Sequence, residues 1–235
     1  SCQSGSKAVN AFEQNEKLGR GVNILGYDPI WESFEKARFK EHHFKLIHEA
    51  GFNTVRINLH PFRYMNPTTS ELREDWWKVL DWAVENALAN DLMVILDMHE
   101  YYAMADDPVG RKDMWLAFWK QVAEHFQNSS ENVLFELLNE PNGKLTSELW
   151  NEFLSEGLAI VRESNPRRTV ILGPAQYNQI NQLDSLILPE KDRNIIVTIH
   201  YYSPMDFTHQ GASWAGRADL RDVRWLGTAE EKQAI

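Results

Sequence analysis

Residues 92–99 read L-M-V-I-L-D-M-H, a nearly continuous apolar run that contains Asp97 and ends with His99. A short apolar run without polar alternation predicts a strand that is covered on both faces, as in a parallel sheet. The flanking stretches 71–90 and 112–127 show the apolar spacing of helices. Strand and helix therefore alternate, which predicts parallel strands joined by right-handed helical crossovers.

The same alternation extends over most of the chain. Further strands are predicted at 20–25, 54–60, 133–138, 169–173 and 194–200, and further helices at 38–50 and 146–163, with a weaker stretch at 180–188 and a helical start at 228–235. No Gly-x-Gly-x-x-Gly or phosphate-loop motif follows a strand, which disfavours a nucleotide-binding doubly wound sheet. We therefore predict an α/β fold, a (β/α)8 TIM barrel with only its first six βα units in this chain. Residues 1–17 are predicted to form a flexible leader, and 18–235 the barrel domain, incomplete at its C-terminus.

The composition narrows the possible partners. The chain has a formal net charge of −10 and a pI near 5.3, which argues against binding to nucleic acid through phosphate contacts. Nine tryptophans are more than a core of this size needs, and aromatic faces suit the apolar C–H faces of sugar rings. A neutral carbohydrate is therefore the favoured ligand class.

The only cysteine of the sequence is Cys2, so no internal disulfide is possible. Its place behind a small residue resembles the remnant of a lipoprotein processing site, so a lipid anchor at Cys2 stays open beside an unremarkable cysteine. No apolar run approaches the roughly 18 residues of a membrane span.

Polar side chains follow the predicted strands at the end where a barrel enzyme has its active site. They are Asn58 and His60 after the second strand, Asp97, His99 and Glu100 at the third, Asn139 and Glu140 at the fourth, Gln176 and Asn178 after the fifth, and His200, Tyr201 and Tyr202 at the sixth. One histidine at a strand end is usually a packed residue. Several successive strands with such ends indicate an active site at the carboxyl edge of the sheet.

Two kinds of chemistry use such residues. Metal-dependent hydrolysis needs closely spaced ligands, but the chain has no His-x-His or His-Glu-x-x-His motif, so neither a metal nor another cofactor is expected. Glycoside hydrolysis needs a protonated carboxylic acid and a second carboxylate. Glu140 fits the acid, because it follows the apolar run 133–138 and lies between Asn139 and Pro141.

The ordered set of motifs resembles glycoside hydrolase family 5, of the cellulase type, over roughly residues 18–214. The motifs are G-R-G-V-N-I-L-G (19–26), V-R-I-N (55–58), D-M-H-E-Y (97–101), N-E-P (139–141), I-H-Y-Y (199–202) and F-T-H-Q-G-A-S-W (207–214). The resemblance implies a retaining endo-β-1,4-glucanase that acts on cellulose-like or mixed-linkage β-glucan through a covalent glycosyl intermediate.

The resemblance also implies catalytic roles for individual residues. Glu140 would be the acid/base, and Asn139 would contact the 2-hydroxyl of the sugar. Arg56 would hold the nucleophilic carboxylate in its ionised form. His200 and Tyr202 would orient the carboxylates.

A second set of residues is predicted to bind the sugar chain. His99 would line the subsite where the bond is cleaved. Trp31, Trp115 and Trp214 are predicted to stack on sugar rings, although Trp115 lies at helical spacing from Trp119 and can equally belong to the core. Tyr101 and Gln176 complete this set.

The nucleophile of this family is a Glu at the end of strand seven, so we expect it beyond residue 235. Glu136 is four residues before Glu140 and should lie roughly 13 Å deeper at ~3.3 Å per residue, whereas a retaining pair needs about 5–5.5 Å. We therefore predict that Glu136 is a buried, paired residue. Glu100 has the right height, but the corresponding family position is not catalytic.

Three alternatives remain open. The first is a mannanase or xyloglucanase of the same family, the second a carbohydrate-binding barrel without catalysis, and the third a metal-dependent hydrolase. We expect a monomer that is secreted, periplasmic or displayed at the cell surface, because a polysaccharide is too large to enter a cell.

Overall fold

The computed structural model of the chain describes residues 10–233 and divides into two compact units. The first unit ends at Ile199 and contains all six strands found in these residues. The second begins at His200. Cys2 lies outside the described residues, as does the possible lipid anchor predicted there.

The six strands form one parallel sheet in the order β1-β2-β3-β4-β5-β6. Their bounds are β1 Gly21–Ile24, β2 Thr54–Leu59, β3 Met93–Met98, β4 Val133–Glu136, β5 Val170–Leu172 and β6 Ile195–Val197. Each strand pairs with its predecessor in the sequence, as the first six strands of a (β/α)8 barrel do. The predicted fold class is therefore confirmed, with each strand shorter than its sequence pattern.

Helices connect these strands. Their bounds are α1 Ala11–Leu18, α2 His42–Glu49, α3 Glu74–Ala89, α4 Tyr101–Asp106, α5 Pro108–His125, α6 Ser147–Ser164, α7 Ala175–Asn178, α8 Met205–Thr208 and α9 Ala229–Gln233. Helix α5 begins before the predicted residue 112, because Asp107 accepts a hydrogen bond from the Gly110 N–H and Pro108 occupies the first turn. Among the described helices, none is long and apolar enough to cross a membrane.

The prediction of a flexible leader was wrong for residues 11–17, which belong to α1. Asn10 caps this helix by accepting a hydrogen bond from the Phe12 N–H. Gln14 is buried and donates from Nε2 to the carbonyl of Glu131 at 3.0 Å. This polar helix is therefore held against the rest of the first unit by a contact with a residue that is distant in the sequence. Residues 1–9 lie outside the described part of the chain.

Four buried indoles tie the core to the strand ends. Their N–H groups donate to the carbonyl of the residue that directly follows a strand. The pairs are Trp31 to Leu25 after β1 at 2.7 Å, Trp115 and Trp119 to Leu137 after β4 at 3.0 and 2.9 Å, and Trp150 to Gly173 after β5 at 2.9 Å. We call these four side chains the indole anchors. They satisfy buried polar groups where the ladders of the sheet stop.

Helix α6 packs closely on one of these indoles through Gly157, where an added Cβ would lie 2.5 Å from Cη2 of Trp115. Replacement of Gly157 by Ala gains about 1 kcal/mol of helix propensity, but overpacking costs about 1–3 kcal/mol. We expect Gly157→Ala to lower the free energy of unfolding by about 1 kcal/mol, measured by urea denaturation. Ser155→Ala, at an exposed position of the same helix, is the control. A stabilised Gly157→Ala variant would contradict this packing.

The second unit is built around short helices and turns. The Thr208 hydroxyl donates to the carbonyl of Tyr202 at 2.6 Å, which ties α8 to the start of the unit. The ring of His209 lies edge-on to the rings of Tyr202 and Trp214, with centroids 5.0 Å apart in each pair.

Candidate active site

Arg56 on β2 is the centre of a polar network in the first unit. Its Nε donates to Oε2 of Glu136 at 2.7 Å and its Nη2 to Oε1 at 2.8 Å, which makes a bidentate ion pair. The same Nη2 reaches the side-chain oxygen of Asn139 at 3.0 Å, and Nη1 reaches that of Asn23 at 3.1 Å. One guanidinium therefore connects the ends of β1, β2 and β4.

Asp97 on β3 is completely buried and shares this guanidinium. Its Oδ2 lies 3.0 Å from Nη2 of Arg56 and accepts a hydrogen bond from Nδ2 of Asn58 at 2.8 Å. Burial alone would raise the pKa of Asp97, but Arg56 and His99 outweigh it and lower that pKa. Burial likewise tends to lower the pKa of Arg56, yet Asp97 and Glu136 raise it above its ordinary value. Asp97 and Arg56 are thus charged inside the protein.

The same carboxylate orients His99. Oδ2 of Asp97 accepts a hydrogen bond from Nδ1 of His99, and an ionised carboxylate can only accept. Nδ1 must therefore carry a proton, which leaves Nε2 as the ring nitrogen that does not contact Asp97. This arrangement suits the predicted role of His99 in binding sugar hydroxyls, which stays a prediction.

Glu136 is buried, with 2% of its surface exposed, and is paired with Arg56. The prediction that it is a buried, paired residue is confirmed. In the first unit, Arg56 therefore pairs with two carboxylates, those of Asp97 and Glu136. The further role of Arg56 toward a nucleophilic carboxylate stays a prediction.

The segment after β4 leaves the strand geometry at Leu137, earlier than predicted. The Leu137 N–H still donates to the carbonyl of Ile171 at 3.0 Å, but its own carbonyl accepts from two indole anchors. The Asn139 N–H donates to the carbonyl of Met98 at 2.9 Å. The backbone that leads to Glu140 is therefore held by β3, β5 and α5.

Glu140 itself has a left-handed backbone, with φ of 43°. Such a conformation in a residue other than glycine costs on the order of 1–3 kcal/mol and persists only where the surroundings fix it. Here the Glu140 carbonyl accepts from Nδ2 of Asn142 at 2.7 Å, and the Pro141 carbonyl accepts from the Tyr177 N–H at 3.1 Å. Strain of this kind, in a half-buried carboxylate at a strand end, is typical of active sites.

A pocket of about 450 Å³ opens beside this network. Its lining includes Tyr27, His60, Phe62, Arg63, Glu100 and Arg111. A row of ring contacts links it to the network: Tyr27 to His60 with centroids 5.0 Å apart, His60 to His99 at 5.2 Å, and His99 to Tyr101 at 5.3 Å. The sequence indicated His60 and Glu100 by their strand-end positions but gave no signal for Tyr27, Arg63 or Arg111.

The partly buried His60 makes stability depend on pH. Burial, followed by the neighbouring His99, lowers the pKa of His60 to about 4. Between about pH 4 and pH 6.5 the unfolded chain therefore binds this proton more readily than the folded one, so the free energy of unfolding falls as the pH is lowered. We expect His60→Gln to weaken this fall, measured by urea denaturation at about pH 7 and pH 5. The exposed His48→Gln variant is the control, and an unchanged slope in His60→Gln would contradict the prediction.

The prediction of sugar stacking is wrong for two of the three tryptophans. Trp31 is 4% exposed and Trp115 is 0% exposed, and both are indole anchors. Neither has a face open to a sugar. Trp115 and Trp119 are one helical turn apart and donate to the same carbonyl, so the alternative reading of Trp115 as core is correct.

Tyr101 and Gln176 are the other two predicted binding residues of the first unit. Tyr101 is partly buried beside His99, and burial raises the pKa of its hydroxyl. Gln176 is exposed and begins three successive residues with positive φ, followed by Tyr177 and Asn178. The turn carries Gln176 directly after β5 and Pro174, and its contact with substrate stays a prediction.

The remaining predicted residues, His200, Tyr202 and Trp214, belong to the second unit. The Trp214 side chain is 77% exposed, which leaves its ring available to a ligand. The roles of all three residues stay predictions. Residues 10–233 contain no group of three or more His, Cys, Asp or Glu side chains arranged to hold a metal ion.

Comparison with known sequences identifies the family. The profile of Cellulase (glycosyl hydrolase family 5) matches residues 15–233, nearly the whole chain. This chain belongs to glycoside hydrolase family 5. The family was expected from the strand-end motifs, and the expectation is confirmed.

Two curated endoglucanases are similar over most of this chain. Endoglucanase H of Acetivibrio thermocellus is 34% identical over an alignment of 231 positions, which covers 94% of this chain and 25% of that protein. Endoglucanase 3 of Fibrobacter succinogenes is 33% identical over an alignment of 229 positions, which covers 88% of this chain and 34% of that protein. The chain thus spans a quarter to a third of the length of these two relatives.

Solved structures of family 5 share the fold. Endoglucanase Cel5A from Thermotoga maritima has a TM-score of 0.87 at 36% identity, over 96% of this chain and 74% of that chain. Structures of that enzyme exist with cellobiose and with mannotriose. The (β/α)8 assignment of the six described strands therefore agrees with an experimentally determined relative.

Proposed function

We propose that the protein is a retaining endo-β-1,4-glucanase, with Glu140 as its acid/base, acting on cellulose-like or mixed-linkage β-glucan. The observation that carries the proposal is the backbone of Glu140, strained to a φ of 43° and fixed by hydrogen bonds on both sides. Asp91 and Asp222 also have positive φ, but Glu140 differs from them in that it follows a buried strand at the carboxyl edge of the sheet. Such a fixed position suits a proton donor that must meet one glycosidic oxygen.

The neighbours of Glu140 are arranged for the same task. Arg56 occupies the side-chain oxygen of Asn139 at 3.0 Å, which orients the amide and leaves its N–H groups to donate to a sugar hydroxyl. Asp97 holds the His99 ring through Nδ1, so that Nε2 is the nitrogen left to bond another hydroxyl. The network thus pre-orients two sugar contacts beside the acid.

In the proposed reaction, Glu140 gives its proton to the glycosidic oxygen as the bond to the anomeric carbon breaks. A second carboxylate attacks that carbon and forms the glycosyl ester. Glu140, now ionised, takes a proton from the water that hydrolyses the ester. Each step then conserves protons, and the anomeric configuration is retained.

A second candidate substrate is β-mannan. It is favoured by one observation, the mannotriose complex of the similar endoglucanase Cel5A, which was also crystallised with cellobiose. The relatives named endoglucanase favour glucan as the main substrate.

The test is a substrate panel of barley β-glucan, lichenan, carboxymethyl cellulose, mannan, xyloglucan and xylan, assayed with the natural protein that contains this chain. We expect the highest kcat/KM on a β-1,4- or mixed-linkage glucan, with NMR showing the β-anomer as the first product. A higher kcat/KM on mannan than on glucan would make β-mannan the substrate instead. An α-anomer as the first product would exclude the retaining mechanism. Sugar affinity without turnover would support a binding protein, and loss of activity with a chelator would support a metal-dependent hydrolase.

We also propose that the protein is a monomer that acts outside the cytoplasm, since its polymeric substrate cannot enter a cell. Fractionation of the producing cells should place β-glucanase activity at the surface, in the periplasm or in the medium. Activity confined to the cytosol would contradict this location.

A further inference from the structure

The pocket beside the network has two cationic side chains at its rim. Arg63 follows β2, and Arg111 lies in the first turn of α5, and both are exposed. Among residues 10–233, neither forms an ion pair with a carboxylate, which is also true of arginines outside this pocket such as Arg38 and Arg193. The Arg63 guanidinium lies 4.8 Å from the ring centroid of Tyr64, and its charge acts on Glu32 as well as on Glu100.

The local charge of the pocket differs from that of the protein. The chain carries a formal charge of −10, but the pocket lining has two guanidinium groups and one carboxyl group, Glu100. Burial raises the pKa of Glu100, and Arg63 and Arg111 both act on it from beyond ion-pair distance in the opposite direction. His60, the remaining titratable group of the lining besides Tyr27, is neutral at pH 7 because burial lowers its pKa. The pocket is therefore a cationic place on an acidic protein.

The pocket also lies next to the proposed sugar site. His60 lines the pocket and lies edge-on to His99, which the Asp97 carboxylate orients for substrate. At the entrance Tyr27 is 75% exposed, so its ring offers a face for stacking. The pocket volume of about 450 Å³ is within the usual range of ligand pockets. A sugar chain bound at His99 can thus extend one of its units into this pocket.

We propose that this pocket is a subsite for a sugar unit that bears a carboxylate, such as a glucose unit oxidised at C6, with Arg63 and Arg111 as its ligands. The proposal rests on the proposed glucanase function and adds a preference for anionic chains. The planar fork of arginine matches a carboxylate with two parallel hydrogen bonds. Glu100 would oppose the ligand charge and limit the affinity.

The test compares the affinity for cellotetraose with that for the same tetrasaccharide carrying a glucuronic acid unit at its non-reducing end. Isothermal titration is done with the natural protein in a Glu140→Gln background, which prevents turnover. We expect the carboxylated chain to bind about fivefold more tightly at low salt, as for an exposed charge pair, and the preference to shrink at high salt. The double variant Arg63→Gln/Arg111→Gln should lose this preference.

Two further variants make the result specific. Glu100→Gln removes the opposing carboxyl group without changing its shape, so the preference should increase. Arg193→Gln is the matched control, because Arg193 is exposed and lies before β6, at the opposite end of the sheet. The preference should remain in this variant.

The outcomes separate the two proposals. Equal binding of both tetrasaccharides, or a preference that survives in the double variant, would overturn the carboxylate subsite and leave the glucanase intact. Failure of the protein to bind either tetrasaccharide would overturn the proposed function as well.

Discussion

Glu140→Gln is expected to lower kcat/KM on β-glucan by about 10²- to 10⁴-fold, the usual contribution of a general acid. The amide has the size of the carboxyl group but cannot donate and then accept the proton. The free energy of unfolding should change by less than about 1 kcal/mol, because the variant keeps the backbone hydrogen bonds of the segment. The measurements are steady-state kinetics and urea denaturation of the natural protein.

A second substrate shows whether the lost group is the acid. An aryl cellobioside with an acidic phenol as leaving group needs little protonation, so formation of the glycosyl intermediate should be slowed far less in Glu140→Gln. Glu152→Gln, at an exposed position of α6, is the control. Equal loss on both substrates would mean that Glu140 has another role.

Arg56→Met should have the largest effect on stability. The change leaves two buried carboxylates, Asp97 and Glu136, without their cation, and removal of one partner of a buried ion pair costs about 3–5 kcal/mol. We expect the free energy of unfolding to fall by about that amount in urea denaturation near pH 7. The loss should shrink at acidic pH, because the carboxylates of the variant can then bind protons and become neutral.

A double-mutant cycle isolates the pair. Arg56→Met/Glu136→Gln removes one of the two stranded charges, so it should be more stable than Arg56→Met alone. Arg56→Lys keeps the charge but not the bidentate geometry and should lie between Arg56→Met and the wild type. A loss below about 1 kcal/mol in Arg56→Met would show that water or another group replaces the guanidinium.

The strands were predictable because covered parallel strands have a simple signature. Residues 92–96 are apolar on both faces of the predicted strand, and β3 occupies Met93–Met98. The bounds were less accurate after residue 136, where β4 ends although the apolar run continues. Leu137 and Leu138 are fully buried outside the strand, so their apolarity reflects burial rather than strand geometry.

The tryptophans could not be assigned from the sequence. A tryptophan that stacks on sugar and one that donates to a buried carbonyl have the same composition signal, and only Trp115 had a warning in its spacing from Trp119. The prediction of a flexible leader was also wrong because the sequence alone does not show tertiary contacts. Its helix depends on a cap at Asn10 and on the contact of Gln14 with Glu131, which is distant in the sequence.

The segment that contains Glu140 was recognisable in the sequence, but the pocket was not. Glu140 stands in a short contiguous motif at the end of an apolar run. The pocket combines Tyr27 from the loop after β1, Arg63 from the loop after β2, and Arg111 from α5. These residues share no sequence pattern, and they come together only because parallel strands end at the same edge of the sheet.

The indole anchors have a consequence for variation within the family. Leu137, three residues before Glu140, receives both of its indole hydrogen bonds from α5, in the outer layer. The position of the Glu140 segment is therefore set in part from outside the sheet. In the proposed mechanism, a substitution that shifts or rotates α5 would change the angle of proton delivery without contacting a sugar. Differences in turnover between members with identical strand-end residues should accordingly be sought in the seating of this helix.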